Sequence, residues 1–348
     1  MLDAGHRAAV EAALNFEDCG RTPVNNFAVV TAARYAGLTV DEARWTPGIS
    51  ARVAVDYSLA TGSDFVKPVL DSQVVLQDLG MEVRFPKDDY GSVPGHIIET
   101  AEDVDKVHVF DPANASECPG FTDSILKALE ETSRILPEDL HVCGLAWGPF
   151  STAGYLMGAE NMIFATLVDP DLVKAVVATT TELVSTMELA MLDSGATVMW
   201  MADPTSSGDL ISPEMFDEFS KDGIKRVVSD VKAGSDVPNF VHICGNTLNI
   251  ISHVKETGAD CLSFDHAVDP SRARDAAGRD LALMGNVDPV KIVMSGTPGE
   301  VVAQSYRIIE AAGAEGGLIL APGCETPISS PFENVAAMGE AGRSFWQQ

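Results

Sequence analysis

A short apolar or β-branched run, a turn and a helical pattern recur along the whole of this chain. The runs fall at 24–30 (VNNFAVV), 65–71 (FVKPVLD), 141–147 (HVCGLAW), 197–203 (TVMWMAD), 239–244 (NFVHIC), 261–266 (CLSFDH), 281–287 (LALMGNV) and 317–322 (GLILAP). Helical patterns follow the later runs at 213–233, 247–257, 270–277 and 298–312, the first opened by an N-cap and first-turn pair, Ser212 and Pro213. Strands alternating with helices predict a parallel sheet, and eight such strands predict a closed (β/α)8 TIM barrel. No linker or low-complexity tract divides residues 1–348, so one α/β domain is expected. It carries an N-terminal helix within 1–20, with Val10 and Leu14 on one face, and an inserted region of hairpin character at 72–135, placed over the barrel mouth.

A barrel of this kind does its chemistry at the C-terminal ends of its strands. Polar groups and sulfurs gather there: Asp71, Trp147, Asp203, His242 with Cys244, Asp265 with His266, Asn286 with Asp288, and Cys324. His242 and Cys244 stand two apart, the side-chain period of a strand, so both leave one face of an extended chain. Cys324 follows the last predicted strand and converges on the same mouth. A lone H-x-C is more often a piece of core strand, but a third ligand from the same rim changes its meaning. One imidazole and two thiolates suit Zn2+, and three protein ligands leave a fourth position for a reactant. Glycines beside the two sulfurs let the backbone turn without strain.

Composition narrows the function classes. The chain has 51 acidic residues against 23 Lys and Arg, a net charge of −28, which argues against nucleic acid and anionic membrane as partners. No apolar run approaches the ~18 uncharged residues of a membrane span. The start MLDAGHRAAVEAALNFEDCG lacks the basic, uninterrupted apolar pattern of a signal peptide, so a cytoplasmic protein is expected. Six scattered cysteines, Cys19, Cys118, Cys143, Cys244, Cys261 and Cys324, do not form the dense framework of a small disulfide scaffold. Cys143 and Cys261 are expected in the core, and Met199, Met201 and Met284 as barrel filling.

Five stretches in order, ADPTSSGDLISPEMFDEF (202–219), HICGNT (242–247), SFDHAVDP (263–270), LMGNVDPV (283–290) and GGLILAPGCETP (316–327), resemble the uroporphyrinogen decarboxylase superfamily. GNVDP and GPF (148–150) are superfamily-level features, while H-x-C with a distant Cys resembles its zinc branch, the methylcobamide:coenzyme M methyltransferases. The likeness is weak before residue 140 and strong from 197 to 327. It implies a (β/α)8 barrel in which His242, Cys244 and Cys324 bind one zinc ion. It also implies methyl transfer from a methyl-Co(III) corrinoid to the thiol of coenzyme M, in methanogenesis from methylated compounds. The corrinoid would be supplied by a partner protein docking at the mouth of a monomeric barrel. In that scheme Asp265 and Asp203 are catalytic candidates, and Thr205 and Ser206, with Ser207, are candidates for the sulfonate of coenzyme M. His266, next along from Asp265, is expected to pack elsewhere or lie on the surface.

Three other readings compete. The barrel could run in the opposite direction, demethylating a methylated or methoxylated substrate onto a corrinoid. It could be a non-catalytic zinc scaffold, with Asp265 closing the fourth position. It could be a decarboxylase, as RTP (21–23) and ARY (33–35) hint, but Arg34 is the only arginine between 22 and 43, too few cations for a substrate with eight carboxylates. DLHVCG (139–144) matches a corrinoid-ligand pattern, D-x-H-x-x-G, yet His141 opens a predicted strand at the barrel's N-terminal end, away from the reaction face.

Overall fold

The computed structural model describes residues 5–18, 20–112, 114, 118–137 and 139–347. Cys19 and the first residues of the predicted N-terminal helix lie outside them. Seven parallel strands run in sequence order: β1 (Phe65–Val66), β2 (His141–Trp147), β3 (Val198–Ala202), β4 (Asn239–Ile243), β5 (Cys261–Phe264), β6 (Ala282–Val287) and β7 (Leu318–Pro322). Val24 supplies the eighth position. It forms a parallel bridge to Leu320 of β7, and its carbonyl accepts from Asp64 N–H at 2.7 Å, just before β1. The sheet thus curls back on itself, as expected.

Two predicted strands are cut short for local reasons. In VNNFAVV the Asn25 and Asn26 side chains accept from the backbone N–H of Phe27 and Ala28, two residues on, and Phe27 adopts φ 41°. Such local bonds compete with a ladder, so only Val24 pairs. In FVKPVLD the ladder stops at Val66 because Pro68 has no N–H to donate.

Strand alternation sorts the apolar residues into two layers. Phe65, Cys143, Val198, Trp200, Phe240, Cys261, Ala282, Met284 and Ile319 meet inside the barrel. The helix His6–Leu14 closes the N-terminal end by adding Val10 and Ala13 to that cluster. Met199, Met201, Val241, Leu262 and Leu283 point the other way, into the layer under the surrounding helices. Of the three methionines expected to fill the barrel, only Met284 does so. Met199 and Met201 stand one position out of phase with Trp200 and face the helices.

The helix Pro213–Met215 opens on the Ser212 cap, whose hydroxyl accepts from Met215 N–H. It continues through a wider turn, Phe216–Ser220, into Lys221–Gly234. Pro170–Asp193 is long and apolar enough to cross a membrane by composition, but 61% of that apolar window is buried inside the protein. It is a core helix. Within 72–135 the hairpin amounts to one antiparallel bridge, Arg84 with Ser92, and the segment ends in the amphipathic crossover helix Gly120–Ile135 that leads into β2. The hairpin tip reaches the mouth: Gly91 N–H donates to Asp71, beyond β1, and the Tyr90 hydroxyl donates to Glu325, beyond β7.

Candidate metal centre

The three predicted ligands come together. β4 carries His242 inward, and the chain then turns at Gly245, whose φ of +71° is the left-handed region, leaving Cys244 on the rim. β7 delivers Cys324 through Gly323, where a Cβ would stand 2.3 Å from the backbone nitrogen of His266. His242 Nε2 lies 3.2 Å from Cys244 Sγ, the two sulfurs are 3.7 Å apart, and all three donor atoms fall within 4.8 Å of one another.

The spacing can be tested against metal chemistry. Tetrahedral Zn2+ with Zn–S near 2.3 Å and Zn–N near 2.0–2.1 Å sets neighbouring sulfurs about 3.8 Å apart and a nitrogen–sulfur pair about 3.6 Å apart. The 3.7 Å between the sulfurs matches that shell and is far beyond the ~2.05 Å of a disulfide, and the 3.2 Å between nitrogen and sulfur is somewhat tighter than the shell. His242 Nδ1 bonds the Ser263 hydroxyl at 2.9 Å, leaving Nε2 toward the sulfurs, the outer-sphere pattern of metal-binding histidines. Without a cation the sulfurs cannot both ionise easily. Hydrogen bonding from Cys244, then from His242, lowers Cys324 to about 4, while the bond to Cys324 and burial push Cys244 far up. A divalent ion removes that conflict.

The centre forms one wall of a cavity of about 180 Å3 whose other walls include Phe27, Lys67, Tyr90, Trp147 and Glu325. Phe27 meets the His242 ring edge-on at 5.2 Å between centroids, packing one side of the ligand.

The remaining expected site residues have other engagements. Asp265 is close enough to oppose ionisation of Cys244, and its Oδ1 accepts from Ala267 N–H at 2.8 Å, capping the turn after β5. His266 is half exposed, as expected of a surface residue, but the strand ends at Phe264 and alternation no longer governs it. Its Nδ1 turns back to Asp265 at 2.8 Å, with Nε2 3.9 Å from Asp288. Asp203 is fully buried behind the wall formed by Ala202 and Pro204. It accepts from Ser151 N–H at 2.7 Å, tying β3 to the helix Pro149–Met157, and burial raises its pKa to about 6. Thr205 bonds the Ser151 hydroxyl at 3.1 Å and Ser206 the Ser220 hydroxyl at 2.6 Å, and neither lines the cavity. Ser207 accepts from Asp209 N–H at 3.2 Å. Asn286 and Asp288 hold the loops after β5 and β6 through backbone bonds. His141 stacks on Phe65 and bonds Thr197 at the other end of the barrel.

Sequence reading missed most of the other cavity residues, among them Phe27, Lys67, Tyr90 and Glu325. Lys67 had a legible signal, a lysine inside an apolar barrel strand; Tyr90 had none.

The family described as uroporphyrinogen decarboxylase (URO-D) matches residues 6–345. The chain is 28% identical to the methylated-thiol–coenzyme M methyltransferase of Methanosarcina mazei, over 79% of this chain and 71% of that protein. It is 31% identical to the methylcobamide:CoM methyltransferase MtbA of the same organism, over 73% of this chain and 71% of the relative. A solved methyltransferase from Methanosarcina mazei superposes with a TM-score of 0.88 at 25% identity, covering 98% of this chain and 99% of that one.

Proposed function

We propose that this chain, which belongs to the uroporphyrinogen decarboxylase family, is an enzyme that transfers a methyl group from a methylated corrinoid to the thiol of coenzyme M. The observation that carries the reading is the His242, Cys244 and Cys324 trio, its donor atoms within 4.8 Å of one another on the wall of a cavity at the barrel mouth. The names of the relatives identify the donor and acceptor chemistry. In this reading the three residues hold zinc, which when bound would lower the pKa of the acceptor thiol from about 8.5 and keep it as thiolate.

The protein's own groups do the rest. Ser263 fixes the His242 ring, and Phe27 packs against it. The proton that leaves the acceptor thiol passes to solvent; Asp265, whose charge acts on Cys244 from behind the cavity wall, is paired with half-exposed His266 on that side. Asp203 acts at one remove, by fixing the end of β3 against the helix Pro149–Met157. The new bond is S–CH3; the Co–CH3 bond breaks with its electron pair left on cobalt. The corrinoid arrives on a partner protein that docks on the mouth of a monomeric, cytoplasmic barrel, and the reaction serves methanogenesis. The cavity argues against a porphyrinogen substrate, because among the described residues Lys67 is its only Lys or Arg.

The test pairs metal analysis with turnover. The purified protein is expected to carry about one zinc per chain and to consume coenzyme M thiol with free methylcobalamin. His242→Ala and Cys324→Ala are expected to lose both metal and turnover while keeping the fold by circular dichroism. Retention of metal and activity in both variants rejects the assignment.

A further inference from the structure

Lys67 is a buried cation that feels Glu325 and Asp71 but has no carboxylate within ion-pair distance among the described residues. It directly follows β1 and lines the same cavity as Cys244 and Cys324. The residue is only 7% exposed, and among the described residues its ammonium has no hydrogen bond and no ion pair. The Phe27 ring, 6.0 Å from Nζ, is the one recorded contact with a π face. Glu325 and Asp71 act on it only at longer range. Glu325 is already engaged by Tyr90 and by Val29 N–H at 3.2 Å, and Asp71 by Arg44 and Gly91 N–H. Leaving an ammonium buried and unpaired is costly, and burial lowers its pKa to about 8. A site that keeps such a group beside a cavity is incomplete without an anion.

Two residues that line the same cavity also carry an enclosed polar atom without a partner. Trp147 Nε1 and Ser72 Oγ are buried with no hydrogen-bond partner, and both residues line it. The Phe27 ring centre is 5.2 Å from that of the His242 imidazole and 6.0 Å from Lys67 Nζ, so the imidazole and the cation are both its neighbours. A ligand a few atoms long, with sulfur at one end and a fixed negative charge at the other, spans that interval.

We propose that Lys67 binds the anionic end of the acceptor thiol, so that this cavity selects thiols carrying a sulfonate over neutral thiols of the same length. The proposal rests on the methyl-transfer reading for the identity of the thiol, though not for the existence of an anion site.

Ethanesulfonate, which has the anion but no thiol, separates the two. Titration calorimetry on the zinc-loaded protein should show it binding to wild type and at least about 30-fold more weakly to Lys67→Met and Lys67→Gln. Thermal unfolding adds an activity-free readout: without ligand, Lys67→Met should melt at or above the wild-type temperature. Ethanesulfonate should raise the midpoint of wild type but not of the variants. In methylcobalamin assays the variants should lose about 100-fold in kcat/KM for coenzyme M while 2-mercaptoethanol turnover stays within about threefold, collapsing the discrimination. Equal ethanesulfonate affinity in wild type and variants, or unchanged preference for coenzyme M, overturns the inference and leaves methyl transfer standing. Lysine-dependent ethanesulfonate binding in a protein that methylates no thiol keeps the anion site and rejects methyl transfer.

Discussion

At the residue scale the centre depends on what holds each ligand. His242 is useful only while its ring is locked, and Ser263, directly paired with it across β4 and β5, donates that lock from the neighbouring strand. Replacing Ser263 by Ala should therefore weaken zinc about 10- to 100-fold in chelator competition, with little change in melting temperature. Unchanged metal affinity would mean that ring packing against Phe27 alone orients the imidazole. The two sulfurs and the imidazole were legible because H-x-C at a strand end carries its geometry in its spacing. Lys67 was visible as an oddity in FVKPVLD, but its lack of a direct ion pair was not, since Glu325 lies 258 positions away in the chain and only the fold sets their separation.

At the element scale the hairpin tip is the part that sequence periodicity described least well. Arg44 anchors it from below: the guanidinium faces Asp71 at 3.4 Å and donates to the carbonyls of Pro86 and Asp89, with both charged side chains almost wholly buried. Arg44→Ala leaves Asp71 buried without its cation and should cost about 3 to 5 kcal/mol in urea unfolding. It should also free the loop carrying Tyr90, seen as faster proteolysis between 86 and 90 in the folded protein. Protease resistance equal to wild type would show that the Tyr90–Glu325 contact suffices to hold the tip. Strand ends followed simpler rules. Pro68 and the Asn25–Asn26 pair shortened β1 and the Val24 strand through the missing donor and the competing side-chain acceptors already described.

For the molecule as a whole, the weak point of the barrel is its seam. Only Val24 bridges β7, and Asp64 reinforces the join: it accepts from Val24 N–H at 2.7 Å and pairs with Arg21 and His6. Burial alone would raise this carboxyl, yet the bonds from His6, Arg21 and Val24 together bring it below its usual range. Because the folded-state pKa lies below the unfolded value of about 3.9, the stabilisation is complete above that pH and is lost as pH falls through the folded value. Asp64→Asn should cost about 3 to 5 kcal/mol near neutral pH by removing the buried carboxylate charge that faces Arg21, and its stability should fall less steeply than wild type below pH about 4. Parallel acid-unfolding curves for the two proteins would remove Asp64 from the account of the seam.

The sequence by itself determined the strand–helix alternation and the rim that carries the reactive groups, because these follow from local periodicities of two and 3.6 residues, while the phase that turns Met199 and Met201 outward was set by the fold. It also named His242, Cys244 and Cys324, whose meeting follows once the strands are ordered. Tertiary structure alone decided that Asp203, Thr205 and Ser206 lie behind the cavity wall, that His266 folds back on Asp265, and that Lys67 shares the cavity with Glu325 and the three ligands without a direct ion pair. Those are relations between segments far apart in the chain. Whether a buried charge is paired depends on distances that no single stretch of sequence contains.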